Sequence, residues 1–337
     1  MPFRPITMDT VRPCGCKGIR TCLICEQECG ITKKDFLGLQ QDRDVYVYCP
    51  WCNKAWPGWD AFTYKEHPNH NGTSVVFSGI YIQLDFLSVA EEESLIKGID
   101  EMTWEQSQSG RRKQNFGPKC NFKKKRLKLG SFKGFPAFTK FVQEKFKDVD
   151  ILQGYQTVEQ CSLEYNPIRG ASIDPHIDDC WVWGERIVTV NLLADSVLTM
   201  TQYHGDHNRY NLLDVDTYPP VLNQEGKVIT EYENTDCAGY EFFQHRNTIM
   251  DNSLKLDGTD VVRVPMPRRS LLVMYGPARY MWEHSVLRED ILQRRVCLAY
   301  REFTPTYLER GKLAHEGHVF LNIARNFLDH KHVDSIK

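Results

Sequence analysis

The chain lacks any run of about 18 or more apolar residues, so no transmembrane helix and no membrane partner are expected. It also lacks the apolar stretch near the N-terminus that a secretory signal requires. The formal net charge is only −2, which excludes a protein built throughout as a polycation. We therefore expect a cytoplasmic and nuclear protein, in which any nucleic-acid binding depends on a local patch.

Internal repeats and low-complexity segments are also missing, and the composition does not indicate wholesale disorder. Hydrophobic residues make up 41% and charged residues 26% of the 337 positions, which is ordinary for a globular protein. This length allows one large domain with a small one, or two medium domains.

Cysteine is the residue type with the most uneven distribution. Seven of the 12 cysteines precede residue 53: Cys14, Cys16, Cys22, Cys25, Cys29, Cys49 and Cys52. Because a reducing compartment disfavours disulfides, closely spaced thiolates are better explained by structural zinc. We predict a zinc-binding module over residues 10–60. Its first-choice ligands are Cys14, Cys16, Cys22 and Cys25, with Cys49 and Cys52 as further candidates, and reduced, unliganded thiols are the alternative.

Short strands separated by turns dominate the second half of the chain, at 161–165, 187–193, 270–274 and 296–303. Because no helix-length pattern lies between them, a sandwich or jelly-roll barrel is favoured over a parallel sheet. A capping box at Ser88, followed by helical spacing, and helical patterns at 135–146 and 308–328 predict flanking helices. The predicted fold class is α+β, with the main domain over 74–330 and a polar insertion at about 200–258.

One candidate iron site has the form His-x-Asp followed far downstream by a second His. The motif occurs at 176–178, 204–206 and 332–334, so the bare match has little value. Predicted strands flank only the first match, and a downstream strand leads to His284. His176, Asp178 and His284 would form the two-histidine, one-carboxylate triad that suits Fe(II) and leaves coordination positions open.

Two arginines follow this triad on the last predicted strand. Arg295 and Arg301 fall on one strand face, and two guanidiniums inside a barrel require anionic partners. A dicarboxylate cosubstrate would provide them through bidentate pairing. For Arg301, a structural carboxylate is the alternative partner.

The triad, the Arg295-to-Arg301 spacing and the sequence Tyr165-Asn166-Pro167 together resemble the AlkB family of double-stranded β-helix dioxygenases over residues 75–301. The segments 14–25, 107–114 and 184–186 are similar to the subgroup called AlkB homologue four. The resemblance implies iron(II), 2-oxoglutarate and O2 as cofactors. It also implies that Arg295 binds the distal carboxylate of 2-oxoglutarate, with Arg301 near its keto-acid end and Tyr165 in contact with it.

The same resemblance implies oxidative N-demethylation of a lysine of actin, with release of formaldehyde, succinate and CO2. Demethylation of N6-methyladenine in DNA is the alternative within this class. A zinc-bearing adaptor with little catalysis is the alternative from another class. Base-repairing members often carry an acid two positions after the metal-binding Asp, where this chain has Cys180.

Substrate contacts are predicted around the barrel entrance. Residues 111–128 contain nine Lys or Arg and no acid, so they could bind DNA phosphates, dock an acidic protein, act as a nuclear localisation signal or form a solvated loop. Arg111 and Arg112 are candidates for a substrate lid. Trp181 and Trp183 are candidates for cation–π contact with a methylated ammonium, although buried core aromatics are the plainer interpretation.

Overall fold

The computed structural model describes residues 12–34, 44–223, 226–229 and 260–329. Its N-terminal elements are α1 (Leu23–Cys29), β1 (Val45–Cys49), β2 (Lys54–Pro57) and β3 (Val75–Val76). In the described ranges, no helix has the length and apolar character needed to cross a membrane.

The middle of the chain alternates short strands with two helices. These elements are β4 (Ile80–Gln83), α2 (Val89–Glu101), β5 (Glu105–Gln106), β6 (Arg112–Phe116), β7 (Lys119–Asn121), β8 (Arg126–Lys128), β9 (Phe135–Pro136) and α3 (Lys140–Lys145).

Longer strands dominate the rest. These elements are β10 (Glu159–Tyr165), β11 (Ile173–His176), β12 (Trp183–Leu192), β13 (Ser196–Gln202), β14 (Val261–Met266), β15 (Leu271–Met274), α4 (Gly276–Tyr280), β16 (Trp282–Val286), β17 (Arg295–Phe303), α5 (Ala314–Ile323) and β18 (Phe327–Leu328).

Two large sheets organise these strands. Sheet I has the order β11-β16-β13-β14-β1-β2-β3, and sheet II has the order β4-β15-β12-β17-β10-β6-β5. All neighbours in both sheets are antiparallel except β1 and β14. From β10 to β17 the chain crosses between the sheets at every step except from β13 to β14, so strands distant in sequence become neighbours.

The central strands of sheet II, β15, β12, β17 and β10, are buried on both faces. On β12, Ile187 faces the core that includes residues of sheet I, while Val188 and Val190 face a second core formed with α2 and α3. Nine of the ten residues of β12 are buried, so Ile187, Val188 and Val190 are apolar without alternating with exposed polar residues. On β17 the same alternation puts Val296, Leu298 and Tyr300 in the helix-facing core.

The predicted strands are present, with bounds shifted by a few residues, and the α+β, sheet-rich class is confirmed. The predicted helix over 135–146 is shorter: only Lys140–Lys145 is α-helical, and Phe135–Pro136 is a strand that pairs with β18. The predicted C-terminal helix over 308–328 is likewise confined to Ala314–Ile323. A strand, β13, ends two residues before His204, although we expected none beside that motif.

The proposed module and insertion are described only in part. Residues 45–57 of the module form β1 and β2, which extend sheet I through β14. Of the expected insertion at 200–258, positions 224–225 and 230–258 lie outside the described residues, as does the third His-x-Asp motif at 332–334.

Candidate active site

The two candidate histidine ligands lie on paired strands of sheet I. His176 ends β11, and its register partner across the antiparallel ladder is His284 of β16. Their ring centroids are 4.2 Å apart. The strand pairing therefore brings together two residues that are more than a hundred positions apart in sequence.

A hydrogen bond determines which ring nitrogen of His176 is free to bind a metal. Its Nδ1 lies 2.9 Å from the carbonyl oxygen of Asp174, so Nδ1–H donates and Nε2 keeps its lone pair. Burial lowers the pKa of both His176 and His284. Both rings are therefore neutral at physiological pH, which is the form that binds a metal.

The carboxylate of Asp178 lies just beyond β11 and is buried. Its Oδ1 accepts a hydrogen bond of 3.0 Å from Arg301 Nη2. Burial alone would raise the pKa of Asp178, but Arg301, His284 and His176 outweigh burial and hold that pKa well below its ordinary value. Asp178 Oδ2 and His284 Nδ1 are buried without a hydrogen-bond partner within the described ranges. Two neutral imidazoles and one ionised carboxylate with unused donor atoms fit a divalent metal such as Fe(II).

Arg295 is buried on the inner face of sheet II. Its guanidinium carbon is 4.8 Å from the ring centroid of Tyr165, its register partner on β10. Nε donates to Asn191 Oδ1 at 2.6 Å, whereas the buried Nη1 has no hydrogen-bond partner in the parts of the chain that are described. Because only 1% of Arg295 is exposed, this cation calls for an anionic ligand.

Arg301 differs from Arg295, although both lie on the inner face of β17. Besides Asp178, Arg301 contacts Glu159, with Nη1 2.6 Å from Oε2. Its charge is thus matched by two carboxylates of the protein itself. In this geometry Arg301 is a positioning residue for Asp178.

A cavity of about 770 Å³ opens beside Asp178 and Arg301. Its wall combines aromatic, acidic and basic side chains, including Phe116, Phe122, Trp183, Glu159, Lys113 and Lys119. Most of this wall comes from the segment between β5 and β9, so the basic run borders the cavity next to the iron triad.

Of the four predicted substrate residues, Trp183 lines this cavity. Trp181 is buried in the core, 6.1 Å from the ring of Tyr307. Arg112 is held by Glu164 in a bidentate contact at 2.6 and 2.7 Å, and Arg111 lies 5.9 Å from the ring of Tyr165. Arg111, Arg112 and Trp181 are not among the residues that line the cavity.

Comparison with proteins of known sequence decides the family. The chain is 36% identical over 321 residues to a human protein named alpha-ketoglutarate-dependent dioxygenase alkB homolog 4, which covers 95% of this chain and 96% of that protein. The chain belongs to the AlkB family. A mouse protein of the same name is 35% identical over 322 residues, with the same coverage. A Caenorhabditis elegans protein named DNA N6-methyl adenine demethylase is 31% identical over 318 residues, 89% of this chain and 90% of that protein. The search for matching family models found none.

The predicted resemblance is therefore confirmed. This AlkB enzyme is a 2-oxoglutarate-dependent dioxygenase and an oxidative demethylase. The reaction class requires iron(II), 2-oxoglutarate and O2. These requirements match the chemistry of the triad and of Arg295, whose buried Nη1 has no partner among the described residues.

Sequence reasoning missed Asn191 and Glu159 of this AlkB site and identified Phe116 and Phe122 only as aromatic residues within the basic run. Asn191 accepts a hydrogen bond from Arg295, and Glu159 accepts one from Arg301. Phe116 and Phe122 line the cavity. Asn191 lies on the inner face of β12 at a position where an apolar residue would be expected. This polar residue in an apolar strand could have indicated a functional position. Nothing local marked Glu159, since its role depends on pairing between β10 and β17.

The N-terminal thiols form a compact cluster. The sulfur atoms of Cys14, Cys16, Cys22 and Cys25 all lie within 4.8 Å of one another, and all four residues are buried. This cluster could hold a metal ion. It docks against Gly110, whose φ of +73° and tight fit against Cys22 and Arg169 exclude a side chain there. Cys49 and Cys52 belong to a different group, which they form with His67 and His70.

Proposed function

We propose that this AlkB enzyme removes methyl groups from a methylated lysine of a protein, with iron held by His176, Asp178 and His284. The buried Arg295 carries the proposal, because its guanidinium has no carboxylate partner in the described part of the chain and lies on the same inner sheet face as Arg301, which contacts Asp178. Arg295 would bind the distal carboxylate of 2-oxoglutarate. Iron in this site would supply oxygen activation and oxidation of the N-methyl group, whose carbon leaves as formaldehyde.

The remaining steps belong to the protein. Arg301 keeps Asp178 ionised and oriented, and the carbonyl of Asp174 fixes the ring of His176. Burial raises the pKa of Tyr165, so its hydroxyl remains protonated and can donate to 2-oxoglutarate. The interleaved strand order of sheets I and II supports the proposal that the fold is the double-stranded β-helix of this family.

The cavity supports a methylated ammonium as the substrate group. Phe116, Phe122 and Trp183 line the cavity and offer aromatic rings to such a cation. Actin is the candidate protein by the resemblance stated above. The basic side chains on the wall also suit a phosphate backbone, and one relative is named for N6-methyladenine in DNA, so methylated DNA is the second candidate.

Formaldehyde release separates these substrates. Purified enzyme with iron, 2-oxoglutarate and ascorbate should release formaldehyde from methyl-lysine actin and not from a duplex containing N6-methyladenine. The reverse result would show that methylated DNA is the substrate.

His176→Ala should abolish succinate formation with either substrate, and His204→Ala should preserve it, because His204 lies in the exposed second motif. Inactivation by His204→Ala alone would show that the wrong motif was chosen.

We also propose that Cys14, Cys16, Cys22 and Cys25 hold a structural zinc ion. Four buried thiols in one cluster provide a complete tetrahedral ligand set with no open position. The module is fastened to the barrel by Glu26, whose carboxylate contacts Arg288 at 2.7 and 2.9 Å. Cys22→Ser with Cys25→Ser should remove one zinc while iron-dependent turnover largely survives. Unchanged zinc content would contradict this assignment.

A cytoplasmic and nuclear location remains part of the proposal, with the basic run at 111–128 as the candidate import signal. Its Lys123, Lys124 and Arg126 are exposed around the short β7–β8 hairpin. Substitution of these residues by Ala should reduce nuclear accumulation of a fluorescent fusion if the run acts in this way.

A further inference from the structure

A second cluster of metal-binding side chains lies at the far end of sheet I. Cys49 and Cys52, at the turn between β1 and β2, meet His67 and His70 from the loop that leads to β3. We propose that these four residues, called here the ribbon site, bind a second structural zinc ion through two thiolates and two imidazoles. This site is separate from the four-cysteine cluster near the N-terminus and from the iron triad.

The distances fit one tetrahedral ion. Cys49 Sγ lies 3.7 Å from His67 Nδ1, and Cys52 Sγ lies 3.9 Å from His70 Nε2. All four ligand atoms lie within 4.8 Å of one another. Zinc bonds of about 2.0–2.3 Å place tetrahedral ligands roughly 3.3–3.8 Å apart. Shifts of about 1 Å or less would therefore complete the coordination sphere.

The turn between β1 and β2 points both thiols to one side. The amide of Asn53 donates to the carbonyl of Cys49 at 2.9 Å, and Asn53 adopts a left-handed φ of 53°. Asn tolerates that conformation better than most residues. The Tyr48 hydroxyl lies 3.0 Å from both Asn53 Oδ1 and the carbonyl oxygen of Ile80 on β4, so its one proton can be donated to either acceptor. The thiol-bearing turn is thus held between the two sheets.

The histidines approach from a turn instead of a helix. Zinc fingers usually separate paired histidines by three to five residues, which suits one helix face. His67 and His70 have only two residues between them and follow the short 3-10 helix Thr63–Glu66. They present different ring nitrogens, Nδ1 and Nε2, to the thiols. Because the two histidines use different nitrogens, a tight turn can direct both rings at one metal ion.

Two tryptophans form the surroundings that a zinc site requires. Trp56 Nε1 donates to Cys52 Sγ at 3.3 Å, which favours the thiolate. The ring of Trp56 stacks on His70 with centroids 4.6 Å apart, and Trp51 lies 5.8 Å from His67. Such contacts orient ligands and raise metal affinity.

The location explains what the ion would do. Only Ala61 and Tyr64 are buried in the loop between β2 and β3, so this loop has little apolar core of its own. Metal binding supplies folding free energy to segments of this kind. Sheet I places β11 and β16, which carry the iron histidines, at one end and β2 and β3 at the other. The ribbon site is therefore structural and remote from catalysis.

X-ray absorption at the zinc edge tests the proposal on the intact chain. Iron-loaded protein should contain two zinc ions per chain with an average of three sulfur and one nitrogen ligand, since four thiols at one site and two at the other give six sulfurs and two nitrogens. Iron loading keeps zinc out of the triad. One zinc per chain with four sulfur ligands would refute the ribbon site, and this measurement requires no variant to fold.

Paired variants test the ligands individually. His67→Asn with His70→Asn should reduce zinc from two ions to one and leave an all-sulfur spectrum. The matched control is His315→Asn with His318→Asn, two exposed histidines on α5 with the same spacing, which should keep both ions. Cys22→Ser with Cys25→Ser should leave one zinc with two sulfur and two nitrogen ligands. Retention of two zinc ions in the His67 and His70 variant would overturn the proposal.

Discussion

Two arginines on one strand face illustrate how environment assigns the role of a residue. Arg301 is matched by Asp178 and Glu159, whereas Arg295 has an amide, a ring and a methionine sulfur as neighbours. Both are buried cations, so each must gain an anionic partner or lose stability. Arg301 has its partners within the protein, whereas none of the described residues gives Arg295 a carboxylate, which is why we propose that a ligand provides one.

Replacement of Arg295 should therefore damage cosubstrate binding above all. Loss of one partner from a buried, charge-assisted pair costs about 2–5 kcal/mol. Arg295→Ala should raise the apparent constant for 2-oxoglutarate by roughly 30-fold or more, at about 1.4 kcal/mol per tenfold change. Arg295→Lys should rescue only part of this loss, because lysine lacks the planar fork. Steady-state kinetics with varied 2-oxoglutarate provides the measurement.

Two neighbouring arginines are the controls for that experiment. Arg294 points to the opposite face, where it contacts Asp100 and Glu164, so Arg294→Ala should leave the 2-oxoglutarate constant nearly unchanged. Arg301→Met should instead weaken iron binding, by about 10–100-fold, because Arg301 orients Asp178. Equal effects of Arg294→Ala and Arg295→Ala on the cosubstrate constant would refute the proposed role.

At the scale of single elements, local sequence patterns predicted whether a segment is a strand or a helix, but they did not predict which strands pair with each other. Periodicity located β10, β12, β15 and β17 because their apolar residues satisfy burial requirements wherever the strands lie. It could not reveal that β11 pairs with β16, since register across the sheets depends on the whole chain. The predicted strand over 270–274 is present as β15, but the chain does not continue to His284 as one strand, because α4 intervenes and His284 belongs to β16.

Helix α2 was located from its capping box, which the structure confirms. The Glu91 amide donates to Ser88 Oγ at 3.2 Å, and the Ser88 amide donates to Glu91 Oε2 at 2.7 Å. Loss of an N-cap of this kind costs about 1 kcal/mol. Ser88→Ala should lower the free energy of unfolding by that amount in urea titrations, while Ser88→Asp should preserve it. If Ser88→Ala and Ser88→Asp are equally stable, the cap contributes nothing measurable.

For the whole molecule, the sequence identified the candidate metal ligands better than it identified the residues that surround them. The choice of His176 over His204 relied on flanking strands, and the structure brings His176, Asp178 and His284 close to one another. The cavity wall was out of reach, because Phe116 and Glu159 join it only after β6 pairs with β10. The His67 and His70 pair was missed because two histidines in a polar loop have no local signal.

Ion pairs between residues distant in sequence also make the stability of sheet II sensitive to pH. Glu164 of β10 is almost fully buried among Arg112 of β6, Arg169 and Arg294. Burial alone would raise the pKa of Glu164, but hydrogen bonds from Arg112, Arg294 and Arg169 outweigh burial and lower that pKa from 4.5 to about 2. A carboxyl group with a lowered folded-state pKa stabilises the protein fully above its unfolded-state pKa, and this stabilisation is lost as the pH falls towards the folded-state pKa.

The free energy of unfolding of the metal-free enzyme should therefore fall between about pH 5 and pH 2, and part of that fall should disappear in Glu164→Gln. At pH 7 the variant should be less stable than the wild type by about 2–3 kcal/mol, because the arginines lose charge-assisted hydrogen bonds. The difference between the two proteins should shrink as the pH approaches 2.

Glu144→Gln is the matched control, since Glu144 forms an exposed helical pair with Lys140 and this substitution should change stability by less than about 1 kcal/mol. Denaturant titrations across this pH range provide the measurement, and a constant gap between wild type and Glu164→Gln would contradict the assigned pKa.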